Sequence, residues 1–310
     1  MAGFPTSGVG THFGDTSIAE DVSDIIYQIT PEDTPFFNMT GDTSSTGVVH
    51  EWQKRSLTTR QDNAQPEGFT YTFPTQSTLP TRVVNLNQVF NKEIRISNTE
   101  QAVTHHAISD LFADQMAVRM AEYKTDIEHT LIQGTIASGS ATDTARRLEG
   151  MIQYIISGVT TYTDIAFLTT LSEVAFNDLI QVGWDEGGEP RDVLVHGANK
   201  RTISSFSASS TKFIAAEEQR LVNTISMYDS DFFPVQVQLS RDIPILTSAG
   251  HSGHSILFID RTMVQKAWLR RSTAKRVPET ADSADGIIVG ECTLEVGNEV
   301  AHVYADDFLP

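Results

Sequence analysis

Gly250-His251-Ser252-Gly253-His254-Ser255 is the stretch where this sequence comes nearest to catalytic chemistry. A serine beside an imidazole could supply a nucleophile and its general base, the pair used in acyl transfer. The turn that exposes such a serine needs glycines two residues before and two after it, between a strand and a helix. Here the second glycine falls one residue early, and the apolar run Ile256 to Ile259 that follows reads as a strand. A polar loop tip is the preferred reading, with a serine hydrolase using Ser252 and His251 or His254 kept as an alternative.

Other chemistry is sparser. Glu122, Asp126 and His129 have the spacing of half a carboxylate-bridged metal centre, but the sequence has no second Glu-x-x-His helix to complete it. His105, His106 and His129 are read as polar positions on an exposed helix face. His251 and His254 offer two nitrogen donors, too few for a structural zinc site. Gly8, Gly10 and Gly14 have the wrong spacing for a dinucleotide loop and no strand before them. The single cysteine, Cys292, excludes an internal disulfide and sits in an alternating apolar pattern, as an inert core residue does. No catalytic residue, no metal and no cofactor is expected, and the chain is not read as an enzyme.

The 310 residues are 39 % hydrophobic and 20 % charged, an ordinary composition for a folded domain with a sizeable core. No run approaches the roughly 18 apolar residues of a membrane span, and the first residues lack a secretory pattern. One cysteine in the whole chain fits folding in a reducing cytoplasm. A formal charge of −18 opposes non-specific attraction to nucleic acid or anionic lipid. Against that background Arg146-Arg147 and Arg270-Arg271 with Lys275-Arg276 stand out. A solvated face, pairing with acidic patches on neighbouring copies, and contact with nucleic acid are the three readings open for them.

The elements that would position these residues come in a definite order. Ser17 and Glu20 are spaced as a capping box before a short helix that Pro31 stops, and Thr34-Pro35-Phe36-Phe37 reads as a stiff turn whose aromatics need a pocket. From Val48 to Trp52, and again from Val84 to Ile96, the period is two, which predicts an extended hairpin. Its connection, Leu57 to Pro80, carries four prolines or glycines and only Phe69, Tyr71 and Phe73 as large apolar residues. An unbroken helix is predicted from Ser97 to Gln133, capped by Ser97 and Glu100 and ended by Gly134. Such a helix is roughly 54 Å long at 1.5 Å per residue, about the width of a compact domain. Neither it nor the arm at 48–96 can be covered by one chain alone, so both are expected to lie on neighbouring copies.

After a polar loop, Arg146 to Ile156 reads as a short helix. An alternating region follows, with helices at Leu171–Val182 (capped by Thr170 and Glu173) and Lys200–Phe206. The strand Val193–Val195 lies between them, and a strand pair turning at Tyr228–Asp231 follows. The last segment, around Cys292, Leu294 and Val296, is expected to be one half-exposed strand running toward Tyr304.

In this order the parts resemble the major capsid proteins of tailed bacteriophages with the HK97-type fold, and within them the SU10-like major head proteins. Asp24-Ile25-Ile26-Tyr27-Gln28-Ile29-Thr30-Pro31 running into Asp33-Thr34-Pro35-Phe36 resembles that family's N-terminal segment. His50-Glu51-Trp52-Gln53 resembles the start of its hairpin arm, Asn63-Ala64 with Glu67-Gly68 the arm's tip, and Asp126-Ile127-Glu128 the end of its spine helix. The resemblance implies an α+β fold. Its parts are an N-terminal arm (1–47), an extended β-hairpin E-loop (48–96), and a P-domain with the long spine helix and following loop (97–149). An α/β A-domain (150–250) comes next, and return strands (251–310) complete the A- and P-domains.

It further implies hexamers and pentamers closing into an icosahedral head around double-stranded DNA. The expected location is the virion, assembled in the host cytoplasm, with a portal and a decoration protein as partners. Only some seventeen residues precede the first predicted helix, so scaffolding is expected from a separate protein. Nothing marks Lys54 or Lys92 as activated for covalent linkage. Trp52, Phe69, Tyr71, Phe73, Arg146, Arg147, Arg270 and Arg271 are the candidate inter-subunit contacts. A nanocompartment shell of the same fold, an encapsulin, is the alternative.

Overall fold

The computed structural model describes residues 33–55, 57, 62–71, 79–105, 108–139, 145–158, 171–206, 226–248, 251–278 and 281–308. The predicted first helix and its capping box lie outside them. A four-stranded sheet has the order β1 (Gly41–Ser44), β10 (Val264–Val277), β11 (Ser283–Val296), β4 (Gln88–Ser97). A second sheet runs β12 (Val303–Phe308), β9 (His251–Ile259), β5 (Asp192–Val195), β7 (Pro234–Leu239), β6 (Met227–Asp229), with β8 (Ile245–Ser248) on β9. Two strands, β2 (Val49–Lys54) and β3 (Thr81–Leu86), make a separate ribbon.

Helix α3 (Leu111–Gln133) crosses the first sheet, and α1 (Pro35–Met39) and α4 (Met151–Gly158) pack with it in one core. The crossing is close because glycines floor it. A Cβ on Gly290 would stand 2.5 Å from the Tyr123 hydroxyl, and one on Gly286 would stand 2.8 Å from the Phe112 ring. Helices α5 (Glu173–Asp185) and α6 (Gly197–Ser205) flank the second sheet around a second core centred on Phe176 and Phe258.

The long helix is not continuous. Ser97 does cap a helix, accepting from the Glu100 amide, but that helix, α2 (Asn98–Ala102), stops after five residues. Val103 is extended, and the Asp110 carboxylate starts α3 afresh by accepting from the amides of Phe112 and Ala113. His105 is therefore off any helix. The 23 residues of α3 span roughly 35 Å, which the first sheet can cover. Gly134 does end α3, but at φ −57. It is needed there for space, since a Cβ would meet the Thr130 carbonyl at 2.5 Å and the Leu148 carbonyl at 2.9 Å.

The hairpin is also shorter than its pattern. The run from Val84 to Ile96 divides at Asn87: β3 pairs with β2 up to Leu86, and β4 leaves to pair with β11. The side-chain parity breaks at the same point. Asn85 is buried in β3 while Val84 is exposed, and Phe90, Ile94 and Ile96 are buried in β4. Nor does all of 48–96 stand off the body, since β4 is an integral strand of it.

Three further expectations change. The strand around Cys292 is buried on both faces because α3 covers one side of β11 and its neighbours flank it; it ends at Val296, and β12 belongs to the other sheet. The helix predicted from Leu171 begins at Glu173 with Ser172 as its cap, and that predicted from Arg146 begins at Met151. The loop-tip reading is corrected for His251–Ser255, which is part of β9 and paired with β8, with His254 and Ser255 buried; Gly250 lies outside the described residues.

Candidate subunit interface

The ribbon of β2 and β3 is built in two halves. At its base alternate residues of β2 turn inward. His50 Nε2 lies 2.8 Å from a Glu295 oxygen, Trp52 Nε1 donates to the Val296 carbonyl at 2.8 Å, and Lys54 pairs with Glu299. From β3, the buried Asn85 amide donates to the Leu294 and Glu149 carbonyls and its oxygen accepts from the Glu149 amide. Asn87 holds the strand switch by donating to Ser45 Oγ and the Gly47 carbonyl. Asn85, a buried amide with both its nitrogen and its oxygen paired, fixes geometry strongly, whereas the buried Asn87 Oδ1 has no hydrogen-bond partner among the described residues. The base is rigid.

Toward the tip the described residues face outward. Leu57, Leu79 and all of residues 62–71 are exposed. Phe69 is 44 % exposed and Tyr71 74 %, and their rings meet edge to face at 5.1 Å. Neither aromatic belongs to the two cores, and exposed aromatics of this kind suit a contact with another molecule.

The remaining candidates separate into satisfied and available groups. Trp52 is turned into its own chain, against Tyr154 at 6.0 Å. Arg146 and Arg270 both grip the nearly buried Glu291, at 3.2 and 2.8 Å. Arg271 is 3.8 Å from Asp42 with its side chain 74 % exposed. Arg147 forms a backbone bridge with Ala137 and is exposed. Phe73 lies outside the described residues. Glu122, Asp126 and His129 are taken up by ion pairs with Arg119, Lys92 and Asp242, and no group of three metal-binding side chains occurs among the described residues. Burial pushes the Cys292 thiol up to about 12, leaving it unreactive.

One site is absent from the sequence reading. The buried Glu128 carboxylate accepts from the amides of Phe36 and Phe37 at 2.9 and 2.5 Å, at the N-terminal end of α1. At the other end the buried Lys266 ammonium donates to the Phe37 and Thr40 carbonyls and stands 4.2 Å from the Phe37 ring centre. A five-residue helix is unstable alone. Here the Glu128 carboxyl oxygens accept from its free N–H groups and the Lys266 ammonium donates to its free carbonyls. Phe36, fully buried, plugs the core beneath. The third residue of the Thr-Pro-Phe-Phe motif, Phe36, thus ties the N-terminal region to the spine helix. Its partner lies 92 residues away, and no local spacing reveals it.

A family model described as the SU10 major capsid protein matches residues 5–307, nearly the whole chain. The chain belongs to that family. Among individual relatives of this SU10-family protein, the major capsid protein of Escherichia phage Phieco32 is 28 % identical over 109 residues, which is 34 % of this chain and 30 % of that protein. The match therefore spans under a third of that relative's length.

Solved structures are alike over far more of the chain. The capsid of a native GTA particle superposes with a TM-score of 0.62 at 12 % identity, covering 96 % of this chain and 98 % of that one. Gordonia phage Cozz gives 0.61 at 11 % identity, covering 99 % and 97 %. The holo-SrpI encapsulin complex of Synechococcus elongatus PCC 7942 gives 0.54 at 12 %, covering 94 % and 92 %. At such identities the likeness is one of fold. The SU10-family chain has the α+β HK97-type architecture.

Proposed function

We propose that this chain is the major capsid protein of a tailed phage. It assembles as hexamers and pentamers into an icosahedral shell around double-stranded DNA, in the host cytoplasm, and resides in the virion. The observation that carries the reading is the two-part arm: a base locked by Asn85, Trp52 and Lys54, and a tip whose Phe69 and Tyr71 have no core of their own. A tip presented rigidly can bury its rings only on another molecule. Family membership supports a second copy as that molecule.

The functional division follows the fold, with one revised boundary. The E-loop is the β2–β3 ribbon and its tip, and β4 belongs with α3, β10 and β11 in the P-domain. The second sheet with α5 and α6 is the A-domain. Scaffolding from a separate protein, a portal and a decoration protein complete the assembly, and the enclosed DNA is held without sequence-specific contacts. The encapsulin likeness supports a second reading, a shell around protein cargo. Nucleic acid inside purified particles separates the two.

Deleting residues 58–80 tests the arm directly. The expected product is a folded, dispersed subunit that forms no closed shell by electron microscopy. Normal particles from that deletion would contradict the proposal.

A further inference from the structure

The His254 ring stacks on that of His196, with centroids 4.6 Å apart and planes 7° from parallel. His254 is buried in β9, opposite Ile245 of β8 and Phe308 of β12, and its Nδ1 has no hydrogen-bond partner among the described residues. His196 follows β5 and is half-buried, and its Nδ1 caps α6 by accepting from the Ala198 amide at 3.5 Å. In the first turn of α6, Asn199 donates to the His254 carbonyl at 3.0 Å. The start of α6 is thus joined to β9 through two imidazoles laid face to face.

The seam favours uncharged rings. Burial first, and the facing His196 second, hold His254 below its ordinary 6.5. A proton on His196 Nδ1 would remove the acceptor that caps α6 and set a cation against the positive end of the helix dipole. Two charged rings face to face would also repel. The described charged side chains on the surrounding elements are Lys200 and Arg201 on α6, Arg241 and Asp242 after β7, Asp192 on β5 and Asp306 on β12, while β8 carries none. Lys200 donates to the Val237 carbonyl, Asp192 is forked by Arg261, Asp242 pairs with His129, and Asp306 acts on Tyr304. Asp260 and His302 meet at the far end of β9. What acts on His254 is its burial and His196, not these carboxylates.

We propose that His196 and His254 form an acid-sensitive latch: neutral, they clamp the start of α6 to β9, and on protonation they part, so that α6 lifts from the second sheet while the first core stays folded. A folded-state imidazole held below its ordinary value contributes stability that is present above 6.5 and lost as pH falls below it. The inference goes beyond the shell reading and applies to a single subunit.

Amide hydrogen exchange of the dispersed chain at pH 7.5 and 5.5 tests it, each rate being referred to the intrinsic rate at that pH. Protection at 198–205, taken relative to α5, is expected to fall between about threefold and tenfold, the upper figure being the limit for one proton over the pH unit below 6.5. Referring α6 to α5 removes any loss of global stability, including that from His302. His196→Asn keeps a capping side chain and removes the titrating ring, so its ratio is expected to stay level between the two pH values. Should that variant fold poorly, His254→Phe keeps a ring in the stack and carries the same expectation. A parent ratio that does not change with pH, or a fall that persists in the variant, would overturn the latch.

Discussion

Glu128 and His302 titrate in opposite senses from inside the fold. Burial pushes the Glu128 carboxyl up to about 7, with the two backbone amides offsetting only part of that cost. Burial lowers the His302 imidazole to about 4, where its Nδ1 accepts from the Asp260 amide. Between pH 4.5 and 7 the folded chain keeps a proton on Glu128 that the unfolded chain has released, so this contribution to stability is present below 4.5 and lost as pH rises through 7. For His302 the contribution is present above 6.5 and lost as pH falls toward 4. From pH 4.5 to 6.5 the two oppose, each by at most about 1.4 kcal/mol per pH unit. Glu128→Gln is therefore expected to make stability rise more steeply with pH across that window, and His302→Asn to make it rise less steeply. Urea melts at four or five pH values measure both. Unchanged slopes would contradict the assigned environments. Cys292 was legible as a core residue because its neighbours alternate. Glu128 was not, because its burial comes from Phe36, far away in the chain.

At the scale of elements, the signals at Ser97 and Gly134 were sound, the cap at Thr170 gave way to Ser172, and the extent of the elements was misjudged. Ser97 and Glu100 do open a helix, yet nothing in their spacing says it lasts five residues. The β-branched Val103 and Thr104, and a second capping residue at Asp110, carried the missing information. Asp110→Ala is expected to cost about 1 kcal/mol by thermal or denaturant melting. Asn85 and Asn87, flanking Leu86, fall at odd positions, opposite the even apolar series Val84, Leu86, Phe90, Ile94 and Ile96, so the alternation gave no mark of the strand switch. Gly290 sets the separation of α3 from β11. Gly290→Ala would press on Tyr123 and Ser272, whose hydroxyls lie 2.9 Å apart, and is expected to cost about 1–3 kcal/mol. A loss below 0.5 kcal/mol would show that the helix can move away freely.

Over the whole molecule, the ion pairs decide which charge reversals probe assembly. Arg270 neutralises a nearly buried Glu291, so reversing it damages the subunit and says little about contacts between copies. Arg271 is exposed and only loosely paired, so Arg271→Glu is expected to leave the melting temperature within about 2 °C while slowing assembly. Equal assembly rates would return Arg271 to an ordinary solvated position.

The HK97-type architecture was legible, but the order of elements only in part: the predicted first helix lies outside the described residues, and β1, β8 and β10 were not foreseen. The division of the arm was not, because it depends on side chains such as Trp52 and Lys54 meeting β11 and its neighbours across more than 240 residues. That division is the claim on which the rest stands, and amide hydrogen exchange reads it directly. In dispersed subunits residues 49–54 and 83–86 should exchange slowly and 57–80 fast. In assembled particles the second group should become protected as well. Slow exchange at 57–80 in dilute subunits, or no change there on assembly, would contradict the account.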